Sequence, residues 1–160
     1  MPTIKLKLNT DSINQALKEV KAYQKKVEKA ADDLVRRLTE QGVSLAQLNA
    51  SYMDIYDTGE LMRGIESQYK GKIGFVVSTA AHSIFCEFGT GIVGAQNPHP
   101  EVAIAGWRYD VNEHGELGWW YIGRDGKAHW TKGMPSRPYM YETAKMLRSM
   151  VVPLAKEVMR

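Results

Sequence analysis

The stretch TDSINQALKEVKAYQKKVEKAADDLVRRLTEQG, residues 10–42, decides the fold class. Its apolar residues recur at Ile13, Leu17, Val20, Val27, Ala31, Leu34 and Leu38, in steps of three, four and seven, with Gln24 the one polar interruption. Those steps are helical. Thr10 or Asp11 supplies a side-chain oxygen to cap the first turn, and Gly42, which accepts a left-handed backbone, is the expected stop. Such a helix is about 45 Å long, whereas a chain of 160 residues collapses to a radius of gyration near ~15 Å. The helix must therefore lie along the surface, overhang the body or pack on a neighbouring subunit. Lys18, Lys21, Lys25, Glu28, Lys29, Asp32 and Arg36 make up its solvent face.

The length fits one domain, and 44% apolar with 24% charged residues is a globular composition able to support a core. No run of about 18 apolar residues is present, so no membrane span is expected. MPTIKLKLNTDS has no apolar stretch of signal-peptide length. Cys86, the one cysteine, has no intrachain disulfide partner, and a reducing cytoplasm suits it. A net charge of +3 is too small to mark a nucleic-acid binder. The charge is mildly segregated into basic ends and an acidic middle, which suits head-to-tail contacts between subunits or ordinary solvated faces.

Downstream, residues 43–58 read as a short apolar segment and a loop. The run Gly59–Tyr69, then Lys70-Gly71-Lys72, then Ile73–Thr79 predicts a hairpin about Gly71. Ala81, Ile84, Phe85 and Phe88 are at helical spacing, so residues 80–88 predict a short helix ended by Gly89 and Gly91. All four tryptophans and three of the four histidines fall between residues 90 and 136. Trp107–Val111 and Trp119–Ile122 read as strands, and Arg124-Asp-Gly-Lys127 as a tight turn leading to His129-Trp-Thr131. Residues 105–133 are thus expected to form a β-rich aromatic insertion. Pro138 suits the first turn of a final helix whose apolar face carries Met140, Ala144, Leu147, Val151, Leu154 and Val158; Pro153 is expected to kink it or to start a second segment. The expected fold is α+β, a single domain over residues 1–160. The long N-terminal and C-terminal helices pack on a small, mainly antiparallel sheet that carries the insertion.

Chemistry-bearing patterns are sparse. Asp57-Thr58-Gly59 matches the tripeptide of aspartic proteases, but that chemistry needs two carboxylates sharing a proton, and a capped turn is the simpler reading. His82 and Cys86, four apart, share a helix face; with His99, His114 and His129 they are the material for a metal or thiol hydrolase, an alternative with no ligand spacing behind it. Gly89-Thr-Gly91 lacks the Gly-Lys-Ser/Thr ending of a phosphate loop. Trp and Tyr interleaved with Arg108, Arg124, Lys127 and Lys132 are the material for base stacking in a nucleic-acid-binding module, but Asp110, Glu113, Glu116 and Asp125 cancel their field. No catalytic residue, metal or cofactor is expected.

Three segments taken together resemble a known family. Thr58-Gly-Glu-Leu-Met-Arg-Gly-Ile65 is similar to its TG-x-L-R-x-S-I segment, Ala80-Ala-His-Ser-Ile-Phe-Cys-Glu-Phe-Gly-Thr-Gly91 to its Y-A-x-Y-V-E-F-G-T-G signature, and Gly133-Met-Pro-Ser-Arg-Pro-Tyr-Met-Tyr141 to the R-P-F-hydrophobic element before its last helix. The family is the gene-product-ten-like group of tailed-phage proteins, which are head–tail joining or tail-completion components. His82, Phe85-Cys86 and Gly64 depart from its pattern. The resemblance implies a non-enzymatic subunit of a homo-oligomeric ring, with six copies expected, in the neck or upper tail of a long-tailed phage or prophage. The implied partners are a stopper or connector and a tail-terminator or tail-tube protein, with DNA passing only through the lumen. The implied location is the virion, assembled in the host cytoplasm. The signature and interface residues are Thr58, Gly59, Leu61, Glu87, Phe88, Gly89, Thr90, Trp119, Trp120, Arg137 and Pro138. A cation such as Arg137 at the start of a helix opposes the helix dipole, so it is expected to pair with a carboxylate, Glu87, and to hold the final helix.

Overall fold

The computed structural model describes residues 9–55, 59–109 and 118–159. The fold is α+β, with a long N-terminal helix, a C-terminal helix and two small antiparallel sheets. In chain order the elements are α1 (Thr10–Tyr52), α2 (Glu60–Gly64), β1 (Ile65–Lys70), β2 (Ile73–Ser78), α3 (Ser83–Phe88), α4 (Gly91–Gln96), α5 (Val102–Ala105), β3 (Trp119–Ile122), β4 (Ala128–Thr131), β5 (Gly133–Met134) and α6 (Tyr139–Val158). No helix among the described residues is long and apolar enough to cross a membrane.

Helix α1 differs from its expected bounds at both ends. Asn9 is the cap: its Oδ1 accepts from the Ser12 amide at 2.9 Å. At the other end the helix runs straight through Gly42 to Tyr52, so residues 43–52 are its last turns. Gly42 is a contact glycine. A Cβ there would sit 2.5 Å from Val76 Cγ2 of β2 and 3.0 Å from Leu147 Cδ1 of α6. The missing side chain lets three elements meet at one point, which offsets the roughly 1 kcal/mol that glycine costs inside a helix. Gly74 of β2 meets Thr39 of α1 in the same way, its would-be Cβ overlapping Thr39 Oγ1.

Helix α6 lies antiparallel against the second half of α1. Asn49 donates from Nδ2 to Thr143 Oγ1 (3.0 Å), which in turn donates to Tyr139 O (2.7 Å). Arg37 pairs with Glu157 at 3.8 Å toward the far end of α6. The Asn49–Thr143 link is buried, so a slip of the two helices would strand polar groups away from water, and it holds their register. Pro153 sits inside α6, which continues past it to Val158 as one helix.

Strands β1 and β2 pair antiparallel, from Ile65↔Ser78 to Lys70↔Ile73, around Gly71-Lys72. The second hairpin pairs Trp119↔Thr131 through Ile122↔Ala128. In its turn the Lys127 amide donates to Asp125 Oδ1 at 3.1 Å. The hairpin joins the body at two bridges, Thr90↔Met134 and Gly91↔Gly133. Of the expected strand Trp107–Val111, Trp107–Tyr109 is irregular chain and residues 110–111 lie outside the described residues; the groups of Trp107 and Tyr109 are taken up by the turn after α3, as shown below. The core comprises Ala46, Ala50, Ile55, Leu61, Ile65, Ala80, Cys86 and Tyr139.

Gly42→Ala tests the contact-glycine reading. Ordinary helix propensity would make alanine stabilising by about 1 kcal/mol. Overpacking against Val76 and Leu147 is expected to reverse the sign, with a loss of about 1–3 kcal/mol in denaturant unfolding.

Candidate functional site

The first turn of α6 presents amide groups that no helical carbonyl reaches. Glu87, near the end of α3, fills that need. Its Oε2 accepts from the Met140 amide and its Oε1 from the Tyr141 amide, both at 2.9 Å. A third donor comes from His99. The Glu101 amide donates to His99 Nδ1 at 3.0 Å, which leaves the ring proton on Nε2, and Nε2 donates to Glu87 Oε1 at 3.2 Å. Both Glu87 and His99 are buried. A buried carboxylate is tolerable only when its lone pairs are filled, and three donors together with the positive end of a helix fill them.

This arrangement corrects the expected Glu87–Arg137 pair. The structure makes no such ion pair. Two parallel amides of α6 offer the carboxylate the same two-donor fork that a guanidinium would, without burying a second charge. Arg137 is fixed through its backbone, its amide donating to Cys86 O at 2.9 Å, while its Nη1 reaches Asp54 O at 3.4 Å. The expected consequence, that Glu87 holds the final helix, is met by a different partner.

The turn after α3 adds further ties. Gly89 has φ 78°, and a Cβ there would lie 2.6 Å from the Ser136 amide nitrogen, so only glycine fits. Trp107 donates its indole N–H to Gly89 O (3.0 Å), and the Gly91 amide donates to Tyr109 O (2.8 Å). Thr90 Oγ1 accepts from the Met134 amide at 3.1 Å, and Ser136 Oγ donates to Glu87 O at 2.6 Å. Phe88 is layered between His99 and Trp107, with ring centroids 4.4 and 5.3 Å away.

The residues singled out from sequence thus separate into groups. Glu87, Phe88, Gly89, Thr90, Arg137 and Pro138 meet at one junction, with Pro138 as the residue preceding α6. Leu61 is buried in the core. Gly59 precedes α2 with φ 73°. Trp119 is half-buried and touches the Gly91 turn, whereas Trp120 is exposed. Thr58, with Asp57, and His114 lie outside the described residues. His99 was legible only as material for a metal or thiol hydrolase, yet it is the junction's third donor; Pro98 and Pro100 on either side, which stiffen the chain, were the available signal. Nothing in the sequence marked Ser136 or Tyr109.

His82, Cys86 and Arg137 line a cleft of about 520 Å³ together with Asp54, Glu60 and Arg124. Burial pushes the Cys86 thiol above its ordinary value, and the nearby Arg137 only partly offsets this. The thiol is held protonated, the opposite of what a nucleophile needs. His129 bonds Asp125 at 2.9 Å on the exposed hairpin. Among the described residues no three His, Cys, Asp or Glu side chains gather as a metal site. No protein-family model, curated protein or solved structure matches the chain.

Glu87→Gln retains one acceptor oxygen but turns an NH2 group toward helix amides, and is expected to cost about 1–3 kcal/mol. In a double-mutant cycle with Arg137→Met the losses are expected to add, because the two side chains share no bond. A coupling well above ~0.5 kcal/mol in thermal unfolding would contradict the geometry.

Stability at alkaline pH gives a second test. Burial pushes Tyr139 up to about 12 and raises Cys86. Both are neutral acids whose folded pKa lies above the unfolded one. Their contribution is therefore whole below the unfolded values and is lost as pH rises through the folded ones. For Tyr139 the loss falls between about pH 10 and 12 and amounts to on the order of 3 kcal/mol. The fall over that window is expected to shrink in Tyr139→Phe.

Proposed function

We propose that this chain is a structural ring subunit of the neck or upper tail of a long-tailed phage or prophage, where it joins head to tail. The observation that carries the reading is the convergence of the three segments resembling the gene-product-ten-like family. They are far apart in sequence. Leu61 and Ile65 of the first, Ala80 and Cys86 of the second and Tyr139 of the third belong to one core, and Glu87 of the second caps the helix that begins in the third. A motif set that folds into one structural unit is what a shared architecture requires; scattered chance matches would have no reason to meet.

Two further features support an assembly role. The face of the β3–β4 hairpin bearing Trp120, Ile122 and Trp130 is exposed, Trp120 at 64% and Ile122 at 71%, and Trp and Tyr favour interface anchors. The first half of α1 also carries large exposed apolar residues, Ile13, Leu17 and Val20. A protonated, buried Cys86 argues against a thiol enzyme. In this reading the partners are neighbouring copies and adjoining neck and tail proteins, and the site of action is the virion.

Deleting the gene in its genome should yield filled heads and finished tails that fail to join, visible by electron microscopy. Plasmid-borne wild-type chain should restore joining, and Trp120→Ser/Trp130→Ser should restore it at least about ten-fold less well, given the weight of aromatic anchors. Normal infectious particles from the deletion would reject the reading.

A further inference from the structure

We propose that the first half of α1 binds the phosphate backbone of duplex nucleic acid through a row of four lysines, without reading its sequence. Residues 18–29 hold five lysines and two glutamates. That local excess of three positive charges equals the net charge of the whole chain, so the remaining residues balance. At about 100° per residue, Lys18, Lys21, Lys25 and Lys29 fall within an arc of about 80°. All four are exposed. Ala16 and Ala30 are buried, and they lie about 175° and 135° round the axis from the centre of that arc. They mark the covered side of the helix, and the lysine row is on the other.

The row works against the helix that carries it. Lys21 and Lys25 are like charges four apart, as are Lys25 and Lys29, while Lys18 and Lys21 are three apart. Each such pair repels and weakens a helix. The two glutamates stand beside the row, and each is engaged by a glutamine. Gln15 donates from Nε2 to Glu19 Oε1 at 3.0 Å, and Gln24 donates from Nε2 to Glu28 Oε1 at 3.2 Å. Asp11 and Asp32 lie on the same line before and after the row and bound it. A polyanion laid along residues 18–29 would turn this mutual repulsion into attraction.

The form of the row specifies which polyanion. Its lysines advance along the axis by about 5–6 Å at a time, close to the separation of successive phosphates on one strand. Its full length of about 16 Å covers about five base-pair rises. A single file of charges fits the edge of one strand. A helix seated in the major groove to read bases would need cations on both flanks. An anionic membrane takes a basic helix by its apolar face, but Ala16 and Ala30 on the apolar side are already buried. An acidic protein surface fits less well, because lysine is depleted from protein–protein interfaces, whereas it serves phosphate as a point charge.

The test uses the full-length chain and a fluorescent DNA duplex of about 20 base pairs, read by anisotropy over a range of salt. Four phosphate contacts give an expected slope of log K on log salt of about −3.6. Two duplexes of unrelated sequence are expected to bind within about two-fold of each other. Lys21→Gln/Lys25→Gln should halve the slope and weaken binding at least about ten-fold near 50 mM salt, with helical circular dichroism unchanged. Lys21→Arg/Lys25→Arg should keep both. Lys70→Gln/Lys72→Gln, at the β1–β2 turn, removes the same charge elsewhere and should leave the slope intact. An equal loss there would show a net-charge effect and overturn the proposal. So would a sequence preference above about ten-fold, or no duplex binding at about 100 μM chain in about 50 mM salt. In that last case, capture by phosphatidylserine vesicles would name a membrane as the occupant. The inference rests on α1 alone, and the joining assay above succeeds or fails independently of it.

Discussion

A helix that begins inside a protein brings several backbone N–H groups with nothing to bond, and the body of this chain is organised around meeting that requirement at the start of α6. Glu87 does so from another helix, 53 residues earlier in the chain. Because its carboxylate bonds two successive amides, α3 and α6 cannot rotate or slide without exposing an unsatisfied charge. The rest of the junction serves this contact. His99 fills the remaining acceptor capacity, Glu101 fixes the histidine tautomer, and Ser136 and the Arg137 amide hold the incoming strand to α3. Gly89 turns the chain where any side chain would strike that strand.

The same economy governs the α1–α6 pair. Its interface is close because Gly42 leaves room for Leu147, as Gly74 leaves room for Thr39 on the β2 side, and it is specific because the buried Asn49–Thr143 bond tolerates one register. Close contact and a single polar link together make the second half of α1 a fixed floor for β2 and α6. In the first half Ile13, Leu17 and Val20 are exposed while Ala16 and Ala30 are buried.

The aromatic hairpin leaves large apolar side chains exposed. Two strands alone are marginally stable in water. This pair is held by the Gly91↔Gly133 bridge and by Trp119 against the turn after α3, while Trp120 and Trp130, edge to face at 5.5 Å, remain open.

Local pattern by itself determined the helices α1, α3 and α6, both hairpins and the α+β class, because each rests on periodicity or turn chemistry within a dozen residues. It also singled out Glu87 as the residue holding the last helix, since a carboxylate ending an apolar helix needs a partner. Only the tertiary structure decided who that partner is. Arg137 was the nearest formal charge in the reading of the sequence, but helix amides carry no letter in a sequence, and their availability depends on where α6 begins in space. The end of α1 was misjudged for the same reason. Gly42 has the composition of a stop signal, and nothing local reveals that Val76 and Leu147, 34 and 105 residues away, need the room its missing side chain leaves. His99 and Tyr109 were hidden likewise, because their roles are set by contacts between segments and not by spacing along one.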